Sequence, residues 1–362
     1  MSVAPRVLVS GVVLGQPMGG VRRHNAELLP RLAERLRAAG GGLGVLEGAV
    51  PIPFELPDVV ERIPSDVPYQ PPHMRALAES RALREALAAA AAAGRAFDLV
   101  HTAHLPAPRD LGVPVTRTVH DLRSVDLERA PFVRRLIGGR VLRRALEGAR
   151  AVGVVSDWMA SRVLEEWPAL EGRVHVIGNG ADHLPILPRE PADPGFALHV
   201  GHVEPRKGLE ALVRSLGHAR GPARVVLAGR AVARELDRLR GIAVELGVAD
   251  RLEHVTPGDD EALARLLATA RVAVFPSRLE GCGIGPLEAL RAGCPTAVSD
   301  IPAHREVAGP GAERFQVGDV DELVDAMDRA LAAPSPALEP RTWDSAADAW
   351  FEMLAAAARG SS

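Results

Sequence analysis

Short, valine-rich apolar runs alternate with longer helical patterns along almost the whole chain, and this alternation limits the possible folds more than any other feature. It is the pattern of parallel sheets joined by crossover helices. In the first half it predicts strands at "RVLVSGVVL", "LGVLEG", "DLVHTA", "VTRTVHD", "AVGVVS" and "VHVIGN". Helices fall between them, the first at "GVRRHNAELLPRLAERLRAAG". The alanine run "LREALAAAAAAGRAF" is read as another, alanine being the best helix former. A proline-rich break with neither periodicity follows at "LPILPREPADPG", residues 184–195. The pattern then restarts at "FALHVGHV", "ARVVLAG", "RLEHVTP", "RVAVFPS", "CPTAVSD" and "RFQVGD". The expected fold is therefore α/β, a pair of Rossmann-like domains with no short repeat period. The first spans 1–185, a linker 186–195 and the second 196–342. A final amphipathic helix at 343–362, with Trp343, Trp350 and Phe351 to bury, is placed to return to the first domain.

Length and charge close off other classes. At 362 residues each half is large enough to bury a core of its own. No apolar run reaches the length of a bilayer span, and "MSVAPRVLVSG" has none of the features of a secretory signal, so the chain is expected in the cytoplasm. The formal net charge of -3 argues against a nucleic-acid surface, which would be strongly basic. Two cysteines, Cys282 and Cys294, cannot build a disulfide framework, and no cysteine and histidine spacing fits zinc. Lys207 is the sole lysine in a chain that otherwise uses arginine, which singles it out.

Ligands of open α/β sheets bind at the carboxyl ends of the strands, and four loops there carry chemistry. In "GQPMGGVRRHNAELL", Gly19 and Gly20 lie between the first strand and the first helix, where backbone amides can approach a phosphate. Glycine in that place is as often only a turn. In "HVGHVEPRKGLEALVRSL", Arg206 and Lys207 precede a predicted helix and suit a diphosphate, although a solvated surface pair would look the same. In "SRLEGCGIGPLEALRAGCP", Pro286 is expected to open a helix that Gly293 ends. That puts Glu288 in the first helical turn and leaves Glu280 in a flexible loop beyond the glycines. Carboxylates only accept hydrogen bonds, so two of them near amide donors suit a ligand with many hydroxyls and a phosphate. A dipole role for Glu288 and a solvated place for Glu280 remain the plain alternative. In "RTVHDLRSVD", His120 and Asp121 close a strand, a place where a histidine is more often structural.

Taken in order, "GGVRRHNAELL", "TVHDL", "VVSDWMASRV", "VIGNGAD", "VGHVEPRKGLEALV" and "PSRLEGCGIGPLEALRAGCPTAVSDIPAHREVAG" resemble the retaining family 4 glycosyltransferases of the GT-B fold, the glycosyl transferases group 1. The resemblance runs from the Gly19-Gly20 loop to the end, and its most specific part is the acid, seven residues, acid motif of Glu280 and Glu288. It implies two Rossmann-like domains with parallel sheets facing a central cleft, and transfer of a hexose (mannose, glucose or N-acetylglucosamine) from a nucleotide diphosphate sugar to a hydroxyl-bearing acceptor. It also implies retention and no metal; the nucleotide sugar is a co-substrate, and no cofactor is expected. Arg206 and Lys207 would neutralise the diphosphate. Glu288 would bind the ribose hydroxyls, and Glu280 would sit by the 3- and 4-hydroxyls of the donor sugar. The amides of Gly283, Ile284 and Gly285, with Leu287, would complete that pocket. Gly19 and Gly20 would close over the phosphates, and His120 would lie beside the transferred sugar. The base would sit near "HVTPGDD", at Val255. Closure on donor binding is implied too, and equal small-angle scattering profiles with and without nucleotide would refute it.

Relatives often have an aromatic where Cys282 stands and a proline where Gly285 stands. The expected result is a roomier, more flexible pocket floor, with Cys282 a small buried filler. "GDVDELVD" contains an Asp-x-Asp pair, but where a late surface helix begins. The basic stretch "PFVRRLIGGRVLRRALEGAR", interrupted by Gly138 and Gly139, could rest on an anionic membrane, which would put the chain at the inner face of the membrane. Donor candidates are UDP-, GDP- and ADP-linked sugars; the acceptor is a glycan, a lipid or a small molecule. The rival readings are a phosphorylase or epimerase on the same fold and a non-catalytic nucleotide-sugar-binding protein.

Overall fold

The computed structural model describes residues 4–16, 19–104, 108, 111–122, 132–333 and 341–360, with the side chains of 73 and 132–138 outside that description. The chain divides into two compact units, Met1–Asn179 with Trp343–Ser362, and Gly180–Thr342.

The first unit holds strands β1 (Arg6–Ser10), β2 (Gly42–Leu46), β3 (Val60–Ile63), β4 (Leu99–Thr102), β5 (Val115–Val119), β6 (Ala151–Val154) and β7 (Val174–Val176). Its helices include α1 (Gly19–Ala38), α2 (Pro72–Ala92), α3 (Phe132–Glu147) and α4 (Asp157–Glu166). The sheet is parallel throughout, in the order β3-β2-β1-β4-β5-β6-β7. Central strands β1, β4 and β6 are buried almost from end to end because helices cover both faces, which is why they read as plain apolar runs. The first predicted strand extends only to Ser10; Gly11–Leu14 turn away while staying buried. Strand β3 was not expected. It is the sheet edge, and its Glu61 and Arg62 break the apolar signal.

The second unit repeats the arrangement with β8 (Phe196–Val200), β9 (Arg224–Ala228), β10 (Leu252–Val255), β11 (Val272–Phe275), β12 (Thr296–Ser299) and β13 (Glu313–Phe315), all parallel, in the order β10-β9-β8-β11-β12-β13. Helices α5 (Leu209–Arg214), α6 (Ala233–Glu245), α7 (Asp260–Thr269), α8 (Ile284–Arg291), α9 (Pro302–Ala308) and α10 (Val320–Ala332) connect them. Two apolar clusters pack this sheet: Leu212, Leu227, Leu239 and Leu323 belong to one, and Leu198, Leu267, Phe275 and Leu290 to the other.

The last helix, α11 (Trp343–Arg359), belongs to the first unit and packs along α1. Trp343 and Trp350 are completely buried there, and Phe351 is half-buried. Arg35 fastens the pair of helices from α1, reaching Asp344 at 3.0 Å and Asp348 at 2.5 Å. Helix α3 runs unbroken through Gly138 and Gly139, contrary to the interruption expected from sequence, since helical hydrogen bonds need no side chain. The side chains of its first half, including Arg134 and Arg135, lie outside the described residues. Among the described residues no helix is long and apolar enough to cross a membrane.

Candidate active site

In the second unit β8 and β11 are neighbours in space while β9 and β10 lie to one side, so the connections leaving β8 and β11 run in opposite directions. A crevice opens at the carboxyl ends of such a pair. The loop after β8 carries Arg206 and Lys207 in a single 3-10 turn, Pro205–Lys207, ahead of α5. The loop after β11 carries Ser277 and Glu280. Gly208 lets the two loops meet: its φ is +61°, and a Cβ there would collide with the Pro276 carbonyl. The Arg278 amide then donates to the Arg206 carbonyl at 2.8 Å.

The two loops join their charges at Glu280. Its Oε1 accepts from Lys207 Nζ at 2.5 Å and Ser277 Oγ at 2.7 Å, and its Oε2 from Arg206 Nη1 at 2.7 Å. Arg206 Nη2 also reaches Glu204 Oε1 at 2.7 Å. Glu280 is thus buried and bonded on both oxygens, which corrects the expectation of a flexible loop acid. The cause is electrostatic: a carboxylate taken out of water needs charged donors, and the basic pair supplies them. Burial alone would raise the Glu280 pKa, but Lys207 and then Arg206 outweigh it and hold the carboxyl well below the usual range. Burial draws the Lys207 ammonium below its ordinary value, opposed by the same carboxylate.

Two buried histidines lie beside this cluster. His199 Nδ1 bonds the Val274 carbonyl and His304 Nδ1 the Ser299 carbonyl, each at 3.0 Å. A carbonyl only accepts, so each Nδ1 carries the hydrogen and each Nε2 is left as an acceptor. Burial pushes His199 down to about 3 and His304 to about 4, so both rings are neutral near pH 7.

Helix α8 begins at Ile284, two residues before the predicted start, because Gly283 caps it in a left-handed conformation with φ +102°. Pro286 fits as third residue, where the amide has no intrahelical partner to lose. Glu288 therefore sits beyond the first turn. Gly293, φ +67°, follows the end of the helix as expected. Gly283, Ile284 and Gly285 are partly exposed at the crevice, and Leu287 is buried below them. The roomier floor expected at Gly285 is absent. A Cβ there would stand 2.7 Å from the Phe275 ring and 3.0 Å from the Val200 carbonyl, so the space is already filled. Cys282 is buried.

Glu288 is buried as well, and its Oε1 bonds His183 Nε2 at 3.1 Å. Val255 ends the edge strand β10 half-buried, and the loop after it closes where Asp259 caps α7 by accepting from the Ala262 amide at 2.7 Å. Asp319, of the Asp-x-Asp pair, does the same for α10 with the Glu322 amide at 2.9 Å, which accounts for that acid. Among the described residues no group of three or more His, Cys, Asp or Glu side chains is placed to hold a metal ion.

In the first unit Gly19 and Gly20 are the first two residues of α1, with Gly19 at φ +43°. His120 follows β5 and meets His24 edge to face, centroids 4.8 Å apart. His24 is buried, bonded to Asn179 Oδ1 at 2.8 Å, and pushed by burial down to about 4. Behind it His101 is held by Thr116 and Thr118 and stacks edge-on against Trp350 at 4.9 Å. Ser277, Glu204, His183, His199, His304 and His24 all surround the expected residues, and none was predicted. For His183, His199 and His24 the partners are remote in sequence, as with His183 and Glu288 at a separation of 105 residues, so no local pattern marks them. Ser277, Glu204 and His304 have partners within five residues, but in loops and at a short helix where no periodicity marks the pairing.

Comparison with known proteins gives a consistent result. Residues 18–183 match the model of Glycosyltransferase Family 4, and residues 188–348 that of Glycosyl transferases group 1. An MMP alpha-(1->4)-mannosyltransferase of Mycolicibacterium hassiacum is 31% identical over 244 residues, 66% of this chain and 57% of that protein. The matched part thus spans little more than half of that relative. Sucrose-phosphate synthase from Thermosynechococcus elongatus superposes with TM-score 0.73 at 22% identity, over 97% of this chain and 94% of the other. Anabaena HepE in complex with UDP-glucose superposes with TM-score 0.65 at 17% identity, over 96% and 94%.

Proposed function

The chain belongs to the family 4 glycosyltransferases of the GT-B fold, and from that we propose that it transfers a hexose from a nucleoside diphosphate sugar to a hydroxyl-bearing acceptor, with retention at the anomeric carbon and without a metal ion. One observation carries the reading: Arg206, Lys207 and Glu280 meet at the crevice between the ends of β8 and β11, beside the glycine-rich start of α8. Breaking the bond from the anomeric carbon to the diphosphate leaves negative charge on the departing oxygens. Arg206 and Lys207 are fixed in advance to receive it, a stabilisation that needs no reorganisation as the charge develops. A metal would supply the same charge, and the paired cations replace it.

In this reading the diphosphate takes the exposed side of the two cations, and Glu280 turns its oxygens to the 3- and 4-hydroxyls of the sugar. The Gly283, Ile284 and Gly285 amides bind the sugar and phosphate at the helix start, where the dipole favours an anion. Glu288 binds the ribose, and the base lies by Val255. From the first unit, Gly19 and Gly20 close over the phosphates and His120 lies beside the transferred sugar. HepE with UDP-glucose supports a nucleotide-sugar donor. The M. hassiacum relative supports a hexosyl donor of the mannose type among those considered.

The test is thermal unfolding of wild type, Lys207→Ala and Glu288→Gln with UDP, GDP and ADP. A ligand that binds only the folded state stabilises it by about 2.7 kcal/mol at a hundredfold excess over Kd. One nucleotide should raise the wild-type midpoint, and each variant should lose that rise relative to its own baseline. No rise with any nucleotide would count against the assigned site. With the donor known, the product should keep the anomeric configuration of the donor, and EDTA should leave turnover unchanged. Phosphorolysis, or an altered sugar without transfer, would move the chain to the rival enzymes.

A further inference from the structure

We propose that His183 is a positioning residue for the donor ribose, holding Glu288 in the one orientation that offers its carboxylate to the ribose hydroxyls. This rests on Glu288 being the ribose ligand. His183 lies in the segment that opens the second unit, while Glu288 is on α8, and the two side chains are 2% and 7% exposed. A carboxylate oxygen can only accept, so the bond at 3.1 Å requires His183 to carry its proton on Nε2. The bond uses one lone pair of Oε1. It leaves the second lone pair of that oxygen and both of Oε2, enough for the two protons of a ribose diol.

The anchor is itself fixed. Leu184 packs into the apolar core, and its carbonyl accepts from Arg291 Nη1 at 2.6 Å. Arg291 stands one turn after Glu288 on the same helix. Two bonds, from successive turns, therefore clasp α8 to residues 183–184. A glutamate has three rotatable bonds, and a free one would have to be ordered when the ribose arrives. His183 completes that ordering before the ligand binds, so the interaction is not weakened by loss of rotamer freedom. A histidine buried only to fill space would have no preference for a ligating oxygen, and its loss would not distinguish one sugar of the nucleotide from another.

That difference defines the experiment. Isothermal titration of the full chain compares whichever of UDP, GDP or ADP binds with its 2′-deoxy counterpart, for wild type, His183→Gln, His183→Leu and Glu288→Ala. Wild type should prefer the ribonucleotide by roughly 10- to 100-fold, the worth of a hydrogen bond to a charged group. His183→Gln, which keeps an N–H donor, should retain most of that preference. His183→Leu should reduce it to within a few-fold, with affinity for the deoxynucleotide unchanged. Because the readout is a ratio of two ligands on one protein, a general loss of stability moves both affinities together and leaves the ratio alone. A His183→Leu protein with the wild-type preference overturns the proposal while leaving the donor site as assigned. If wild type and Glu288→Ala both bind the two nucleotides alike, Glu288 is not the ribose ligand, and the site assignment fails together with the role of His183.

Discussion

Mild acid should destabilise both units through histidines that burial keeps uncharged. In the first unit burial pushes His24 down to about 4 and His101 to about 3; in the second it pushes His304 to about 4 and His199 to about 3. In an unfolded chain all four return to about 6.5. Above that pH neither state holds the proton, and the groups contribute nothing. Below it the unfolded chain takes up a proton at each site and the folded chain does not, so stability falls as the pH falls, until about pH 4 for His24 and His304 and about pH 3 for His101 and His199. Each histidine contributes a slope of about 1.4 kcal/mol per pH unit, and two per unit give about 2.7. Each unfolded histidine is half protonated at about pH 6.5 and reaches the full slope only further down. Between pH 6.5 and 5 each unit should therefore lose about 3 kcal/mol, a large part of the 5–15 kcal/mol typical of a domain. His175 and His202, lowered by partial burial, act in the same direction. Glu280 has a depressed pKa, so its contribution is lost only further down, once unfolded carboxylates protonate below about pH 4.5. The window from 6.5 to 5 therefore isolates the histidines. Urea unfolding at half-unit steps of pH is the assay. All four tryptophans, Trp158, Trp167, Trp343 and Trp350, belong to the first unit, so their fluorescence follows that unit while far-UV circular dichroism follows both. His304→Gln should reduce the slope of the second unit alone by about one proton. Flat midpoints across the window would mean that the folded chain protonates these rings, and the argument from burial would be wrong.

Two substitutions test the packing. Gly285→Ala should destabilise the second unit by about 1–3 kcal/mol, because its methyl group would meet the Phe275 ring and the rigid Val200 carbonyl. Helix propensity alone favours alanine by up to about 1 kcal/mol, so unchanged or increased stability in urea would show that the floor can yield. Trp350→Ala should cost the first unit about 3–5 kcal/mol, seen as an earlier unfolding midpoint in circular dichroism. A loss below about 1 kcal/mol would contradict its complete burial.

The interior strands of both sheets were legible because helices cover both faces, and a doubly covered strand has to be apolar. Strand β3, exposed at an edge with Glu61 and Arg62, lacks that signal. Arg206, Lys207, Glu280 and Glu288 stood out by residue type and motif, yet their mutual geometry did not. Lys207 and Glu280 are 73 residues apart, and only the order β8-β11 brings their loops together. The helix start at Ile284 was missed because proline is a stronger written signal than a left-handed glycine, whose φ no sequence displays. Gly285 reads as empty space on paper. Phe275, from the preceding strand, fills it.

Because α11 completes the first unit, the chain supplies that unit in two instalments, 1–179 and 343–362, with the second unit between them. Synthesis proceeds from one end, and domains fold as units as they emerge. The second unit, wholly within 180–342, is thus ready to fold while the first still lacks two of its largest buried side chains, Trp343 and Trp350. On the ribosome the half that starts first finishes last, and until α11 arrives the groove along α1 that it will fill, with His24 and His101 behind it, is open to any chaperone that binds apolar surface.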